Sequence, residues 1–220
     1  MAHLSIPEQL ARSGVVPVIA IEEEAAALPL ADALLSGGLP VVEITFRTAS
    51  ATSVIRQIAK ERPQLLVGAG TVLTPANLEA AHASGAAFAV APGLNPQIVR
   101  QAAELGLPFI PGVATPSEIE QALALGCRLL KFFPAEALGG IPMLEALSAP
   151  YKHTGVRFMP TGGVTPATLP AYLACENVSA VGGTWLARKE DIASNHWAEV
   201  TRKCKAAVEL VAQSRGHYRL

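Results

Sequence analysis

The sequence predicts an α/β protein that forms a single (β/α)8 TIM barrel over residues 1–220. Short runs of β-branched and aromatic residues alternate with alanine- and leucine-rich stretches of helical periodicity. About eight such βα units follow one another in about 200 residues, which is the smallest usual size of this barrel. A doubly wound open sheet is the alternative, but eight evenly spaced units are unusual for it.

Eight segments have the composition of buried parallel strands, because they are short, apolar and rich in β-branched residues. The predicted strands are residues 15–20, 41–46, 65–72, 88–93, 109–114, 129–134, 158–163 and 179–185. An extra helix at about residues 5–13 precedes the first strand, and a long helix at about 194–214 follows the last. Pro29 lies inside the first helical segment and predicts either a kink or an early helix boundary there.

The helices between the strands are marked by residues that favour helix starts and ends. Helical periodicity covers residues 50–61, 75–84, 96–105, 116–125 and 166–175. Four of these helices are predicted to begin with a capping residue followed by proline, at Thr74, Asn95, Thr115 and Thr165. Three are predicted to end at glycine, at Gly85, Gly106 and Gly126.

The charge and hydropathy patterns argue against several classes of function. The formal net charge is −1, and the scattered Lys and Arg residues make no basic surface for nucleic acid. No apolar segment reaches the roughly 18 residues of a membrane span, and the N-terminus lacks the pattern of a signal peptide. Charged residues make up only 16% of the chain. That low proportion suits a surface partly covered by a partner subunit.

Cysteine and histidine positions give no sign of a disulfide framework or a metal site. Cys127, Cys175 and Cys204 are odd in number and far apart, which predicts reduced thiols in a cytoplasm. The histidines lie on predicted helices, loops or termini, at positions 3, 82, 153, 196 and 217. No HExxH or Cys/His cluster and no GxSxG elbow occurs. We therefore expect neither a metal nor a cofactor.

The most informative single residue is Lys131, within the predicted strand LLKFFP. An ammonium group inside an apolar strand is costly unless it is paired or neutralised. One interpretation is a structural salt bridge with Glu43. The other is a Schiff-base lysine, because burial disfavours the charged form of an amine and leaves the free amine to attack a ketone carbonyl.

The strand VVEITF, at 41–46, carries the second group of polar residues. Alternation along a strand places Glu43 on the same face as Thr45 and Arg47. The sequence does not tell which face points inward. A carboxylate there could transfer protons beside an imine, and an arginine could bind a substrate carboxylate through two parallel hydrogen bonds.

Glycines follow the last two predicted strands. Thr161-Gly162-Gly163 ends the seventh strand, and Gly182-Gly183-Thr184 lies in the eighth. Barrels commonly build a phosphate site from backbone N–H groups at this place, although a lone glycine pair is usually a turn. Gly68-Ala69-Gly70-Thr71 lacks the spacing of a nucleotide fingerprint. We expect its small residues to leave room for a ligand, with the Thr71 hydroxyl as a donor.

These motifs resemble the 2-keto-3-deoxy-6-phosphogluconate (KDPG) aldolases and 4-hydroxy-2-oxoglutarate (KHG) aldolases. The similar segments are VVEITFRT, VGAGTVL, APGLN, LLKFFPAE, PTGGV and GGTWL, in this order, and they extend from about residue 10 to 210. The resemblance implies a class I, metal-independent aldolase on a small barrel, typically a homotrimer. It implies cleavage of 2-dehydro-3-deoxy-6-phosphogluconate to pyruvate and glyceraldehyde 3-phosphate, the last step of the Entner–Doudoroff pathway. Many relatives also cleave 4-hydroxy-2-oxoglutarate.

The resemblance also implies roles for individual residues. Lys131 would form the Schiff base, and Glu43 would be the general acid and base. Arg47 would bind the pyruvate carboxylate, and Thr71 and Thr161 would help to seat that end. Phe133 would pack beside the imine, and Pro92 would line the pocket. The phosphate site would comprise Gly162, Gly163, Gly183 and Thr184. The family's residue at this last position is serine, so the extra methyl group of Thr184 makes phosphate affinity less certain than the reaction.

Three alternative functions differ in what they predict. A sister pyruvate aldolase would use the same imine with another aldehyde, for example on the galactonate epimer. A phosphosugar isomerase or epimerase would explain the glycine pairs, but its metal-using forms need His and Asp ligands at the strand ends. A non-catalytic barrel that binds a phosphate ester gives no reason for the lysine in strand 6.

Overall fold

A computed structural model of the chain describes residues 4–216, in an α/β fold whose named strands all pair in parallel. The strands are β1 Val15–Ile19, β2 Val41–Thr45, β3 Leu66–Gly70, β4 Phe88–Val90, β5 Phe109–Ile110, β6 Gly112–Val113, β7 Leu129–Phe132, β8 Arg157–Pro160 and β9 Val181–Gly183. Their positions agree with the eight predicted segments, except that one segment forms two strands.

The helices alternate with the strands. They are α1 Ile6–Ser13, α2 Ala27–Ser36, α3 Ala51–Glu61, α4 Pro75–Ala83, α5 Pro96–Glu104, α6 Pro116–Ala124, α7 Gly140–Ser148, α8 Leu169–Ala174, α9 Lys189–Ala193 and α10 Trp197–Gly216. Short 3-10 helices cover Glu24–Ala26, Glu136–Leu138 and Ala149–Thr154. The helix before β1 and the long final helix are therefore both present, as the sequence predicts.

The strands form two sheets rather than the one predicted. Six strands pair in the order β5-β4-β3-β2-β1-β9, and three pair in the order β6-β7-β8. The segment predicted as one strand at 109–114 is divided at Pro111, which has no N–H group to donate to a neighbouring strand. Isolated parallel bridges join Phe158 to Val178 and Thr161 to Gly182, at the other junction of the two sheets.

Two hydrophobic clusters lie on opposite faces of the strands. The larger cluster fills the space between the strands and the surrounding helices. The smaller cluster, here called the inner core, contains Leu10, Val16, Val41, Phe88, Val90, Ile110, Leu129, Met159 and Ala180. It draws side chains from both sheets and from α1. Because Leu10 packs with residues near the strand starts, α1 covers that end and leaves the carboxyl ends of the strands on the opposite side.

Most predicted helix boundaries match the structure, because they depend on local hydrogen bonds. The side chains of Thr74, Asn95 and Thr115 accept from backbone N–H groups in the first turns of α4, α5 and α6. The glycines that follow these three helices have φ angles of 85°, 67° and 84°, which glycine adopts without strain.

One prediction about a helix start is wrong. Thr165 does not cap a helix, because its hydroxyl pairs with Thr168 in a turn and α8 begins only at Leu169. The final helix, predicted at about 194–214, begins at Trp197, after the short α9 and the left-handed Asn195, at φ 53°. Pro29 lies in the first turn of α2, where a proline leaves the helix intact.

The cysteines are all free thiols. Cys127 and Cys175 are half-buried and Cys204 is buried. Burial raises the pKa of the Cys204 thiol to about 12, so this sulfur stays protonated at neutral pH. Over residues 4–216, the structure contains no helix with the length and apolar character that crossing a bilayer requires.

Candidate active site

Lys131 and Glu43 form an ion pair inside the inner core. Lys131 Nζ lies 3.4 Å from Glu43 Oε1, and the two residues are 5% and 0% exposed. Each lies two positions beyond a residue of the inner core, Leu129 on β7 and Val41 on β2, so alternation directs both side chains inward. The pair connects one sheet with the other.

The ion pair leaves part of the carboxylate without a partner. Glu43 Oε2 is buried and has no hydrogen-bond partner in the described part of the chain. The single contact to Lys131, at 3.4 Å, is also longer than the about 2.7–2.9 Å of a strong charge-assisted hydrogen bond. One long contact offsets only part of the cost of removing this carboxylate from water, so the ion pair contributes little to the stability of the fold. Its free oxygen is available to accept a proton or a hydrogen bond from a ligand.

Strand β3 has glycines where neighbouring side chains need space. Gly68 and Gly70 lie opposite Glu43 and Thr45 in the register. A Cβ atom on Gly70 would lie 2.1 Å from Glu43 Oε1, and one on Gly68 would lie 2.3 Å from the Phe88 ring. The two glycines therefore give space to the Glu43 carboxylate and to an inner-core aromatic ring. That the small residues of this segment also leave room for a ligand stays a prediction.

The residue after β3 has an unusual backbone. Thr71 is half-buried and has a φ of 58°, in the left-handed region. For a β-branched residue this conformation is rare and costs about 1–3 kcal/mol, and such strain is found mainly at functional sites. This strained residue directly follows the carboxyl end of β3, the strand that pairs with the one carrying Glu43.

Arg47 is oriented by a residue that sequence reasoning did not select. Its Nε donates to Thr45 Oγ1 at 3.1 Å, and Thr45 in turn donates to the Ile19 carbonyl at 3.1 Å. Thr45 is 1% exposed, whereas Arg47 is exposed. The chain of bonds fixes the guanidinium beyond the carboxyl end of β2 and leaves its terminal Nη groups outside this contact. The alternation along β2 places Thr45 on the same face as Glu43, and this pattern could have identified Thr45 as a residue of the site.

Phe133 lies next to the lysine, and Pro92 lies against the strand that pairs with it. Lys131 Nζ is 5.4 Å from the centroid of the Phe133 ring, within the range of a cation–π contact. Gly112, the register partner of Lys131, has so little space that an added Cβ would lie 2.0 Å from the Pro92 carbonyl oxygen. Both predicted pocket residues therefore border the lysine or its neighbouring strand.

The two predicted glycine pairs are neighbours in space. The bridge between Thr161 and Gly182 brings the ends of β8 and β9 together. Gly162 and Gly163 have φ angles of 99° and 84°, and a Cβ on Gly162 would lie 3.3 Å from the Phe133 ring. Gly183 packs under the Trp185 ring, with 2.5 Å between the ring and an added Cβ. Thr161 is buried, and Thr184 is exposed at the rim.

Three cavities lie away from the ion pair. Cavities of about 1010, 440 and 680 Å³ surround α1 and are lined by residues such as Arg12, Ile6 and Ala11. All three are at the strand starts, and neither Lys131 nor Glu43 lines them. Across residues 4–216, no three His, Cys, Asp or Glu side chains are grouped to hold a metal ion. His3 and His217 lie outside the described residues.

Comparison with known proteins agrees with this geometry. The family model for KDPG and KHG aldolase matches residues 6–203. The 2-dehydro-3-deoxy-phosphogluconate aldolase of Haemophilus influenzae is 45% identical over 206 residues, which cover 94% of this chain and 96% of that protein.

Two solved structures are also similar. The KDPG aldolase of Legionella pneumophila, with pyruvate captured at low pH as a covalent carbinolamine intermediate, has a TM-score of 0.88 at 41% identity, covering 92% of this chain and 98% of that one. The enzyme of Zymomonas mobilis ZM4, with 3-phosphoglycerate, has a TM-score of 0.86 at 38% identity, covering 93% and 96%. Fold and comparisons together define the class as an aldolase. Within that class, the chain belongs to the KDPG and KHG aldolase family.

The close approach of Gly70 and Glu43 gives a first prediction. Gly70→Ala should lower kcat for aldol cleavage by about 10²-fold, the scale of a displaced general acid–base group. The added methyl group would overlap the carboxylate and move it away from Lys131. In a Glu43→Ala background the same change should cost little more, because the group it displaces is absent. Steady-state kinetics that show equal losses in both backgrounds would contradict this role for Gly70.

Proposed function

We propose that this chain is a class I aldolase that cleaves 2-dehydro-3-deoxy-6-phosphogluconate to pyruvate and D-glyceraldehyde 3-phosphate. The observation that carries the proposal is the buried Lys131 beside a buried carboxylate with a free oxygen. Family membership and the carbinolamine in the Legionella pneumophila relative support it. A structural salt bridge alone would not explain the unpartnered Glu43 Oε2.

The chemistry follows from the two side chains. Glu43 takes a proton from the Lys131 ammonium, and the free amine attacks the C2 ketone to give a carbinolamine. Glu43 then returns that proton to the carbinolamine hydroxyl, which leaves as water and gives a protonated imine. Glu43 accepts the proton of the C4 hydroxyl, the C3–C4 bond breaks, and its electron pair moves into the imine to give an enamine. The aldehyde product leaves, C3 takes a proton back from Glu43, and water hydrolyses the new imine to release pyruvate.

The two ends of the substrate would be held by different groups. Arg47, oriented by Thr45, would bind the carboxylate next to the ketone, with Thr71 and Thr161 seating the same end. Phe133 would pack beside the imine, and Pro92 would line the pocket. The phosphate would be bound by backbone N–H groups of Gly162, Gly163 and Gly183 and by the hydroxyl of Thr184.

The same site would also act on 4-hydroxy-2-oxoglutarate, with glyoxylate as the aldehyde product. This reaction needs the same imine at C2 and the same carboxylate-binding arginine. It has no phosphate group, so it would not use the glycine loops. The KHG relatives in the matching family support this second activity.

The finer architecture is also part of the proposal. We infer one domain over residues 1–220, a closed eight-stranded barrel in which β5 and β6 act as one strand, and a homotrimer in the cytoplasm. The bridges between β8 and the region of β9 support closure at one junction. The N–H of Gly112, which donates to the Gly93 carbonyl at 3.2 Å, supports it at the other. Free thiols suit a reducing compartment, and a weakly charged surface suits a subunit interface.

Removing the lysine tests the proposed function. Lys131→Ala should reduce cleavage of 2-dehydro-3-deoxy-6-phosphogluconate to background, because no other nucleophile replaces the amine. Lys60→Ala is the matched control, since Lys60 also contacts a glutamate, at 3.2 Å, but lies on the exposed surface of α3. A coupled assay of pyruvate release checks both variants. Turnover of folded Lys131→Ala near that of the control would overturn the proposal.

The Thr45 hydroxyl provides a third prediction. Thr45→Val keeps the shape of the side chain but removes the acceptor for Arg47, so KM should rise roughly tenfold as the guanidinium loses its orientation. Thr45→Ser restores the hydroxyl and should have a KM close to that of the unchanged protein. Competition by pyruvate alone should weaken in parallel in Thr45→Val. Equal KM values for the valine and serine variants would exclude this contribution of Thr45.

A further inference from the structure

A tyrosine and a glutamate behind the glycine loop form a unit that the catalytic scheme does not use. Tyr172, on α8, is 0% exposed, and its hydroxyl donates to Glu136 Oε1 at 2.6 Å. Glu136 begins the short 3-10 helix that follows β7. Burial, and then the neighbouring carboxylate, raise the pKa of Tyr172 above its usual value, so its hydroxyl remains a donor at neutral pH.

The glutamate lies directly against the loop that ends β8. Its backbone N–H donates to the Gly162 carbonyl at 3.0 Å, and the preceding Ala135 N–H donates to the Thr161 carbonyl at 2.8 Å. A Cβ atom on Gly163 would lie only 2.6 Å from Glu136 Cβ. The stem of Glu136 therefore occupies the space behind Gly163. The position of this side chain limits where the loop can lie.

The hydrogen bond from Tyr172 fixes the direction of the Glu136 side chain, which solvent would otherwise surround. Glu136 is an exposed residue, so water could solvate its carboxylate without Tyr172. A buried tyrosine hydroxyl needs an acceptor, and here that acceptor is anchored to α8 through the tyrosine ring. Gly140 lies beside the pair, and a Cβ added to it would be in ordinary van der Waals contact with the Tyr172 hydroxyl, at 3.4 Å. Glu136 thus has one defined orientation under the loop.

We propose that Tyr172 and Glu136 are positioning residues that hold the Gly162–Gly163 loop in the conformation that binds the substrate phosphate. This inference rests on the proposed function, since it assigns a support to the proposed phosphate site. Neither side chain touches the reacting carbons. Their contribution is therefore to the affinity for a phosphorylated substrate and not to imine formation or carbon–carbon cleavage.

The test compares two substrates in two tyrosine variants. Tyr172→Phe keeps the buried ring and removes only the hydroxyl. Tyr151→Phe is the matched control, because the Tyr151 hydroxyl also donates to a glutamate, Glu120 Oε1 at 3.1 Å, but on α6 and away from the glycine loop. Each variant is assayed with 2-dehydro-3-deoxy-6-phosphogluconate and with its unphosphorylated analogue 2-dehydro-3-deoxygluconate. The melting temperature of each is recorded.

In Tyr172→Phe, KM for the phosphorylated substrate should rise roughly tenfold with kcat little changed, and kcat/KM for the unphosphorylated analogue should stay at the wild-type value. Inhibition by inorganic phosphate should weaken to the same extent. Tyr151→Phe should change none of these quantities.

Two contrary results have different meanings. Equal changes with both substrates, or kinetic constants for Tyr172→Phe that equal those of Tyr151→Phe, would overturn the positioning role alone and leave the aldolase intact. A wild-type protein that cleaves neither substrate would overturn the proposed function, and this inference with it.

Discussion

The rest of the site depends on the burial of a lysine and a carboxylate together in the inner core. Lys131 and Glu43 come from β7 and β2, in different sheets, and meet above a layer of apolar side chains that includes Leu129 and Met159. In such a low-dielectric setting a charge without a partner is costly. The neighbouring strands provide room for the pair. Gly70 lacks the side chain that would displace the carboxylate.

The buried pair of Lys131 and Glu43 lowers the stability of the fold but leaves a carboxylate oxygen available for chemistry. Glu43 Oε2 has no hydrogen-bond partner in the described part of the chain, and a design for stability alone would have supplied a donor or an apolar side chain. Violations of local rules that persist in a folded protein are expected at functional sites. The left-handed Thr71 is a second violation, at the end of the adjacent strand. Thr71 directly follows the carboxyl end of β3, the strand that pairs with the one carrying Glu43.

The sequence predicts most of the fold because the relevant signals are local. Capping residues such as Asn95 and glycines such as Gly106 act within one helix turn, and their predicted places match. Alternation also grouped Glu43 with Thr45 and Arg47. Alternation divides the residues of a strand between two faces but does not show which face points inward. That becomes clear only from the packing of the helices against the strands. Gly70 is needed because the Glu43 side chain, from another strand, lies against it. A pattern within one segment of the sequence does not show such a contact between strands.

We propose that Lys131 is the nucleophile. Borohydride reduction in the presence of pyruvate, followed by peptide mass spectrometry, tests it most directly, because reduction converts an imine to a stable secondary amine. We expect one pyruvate-derived adduct, on Lys131. No adduct, or an adduct on another lysine, would mean that Lys131 is only a structural partner of Glu43.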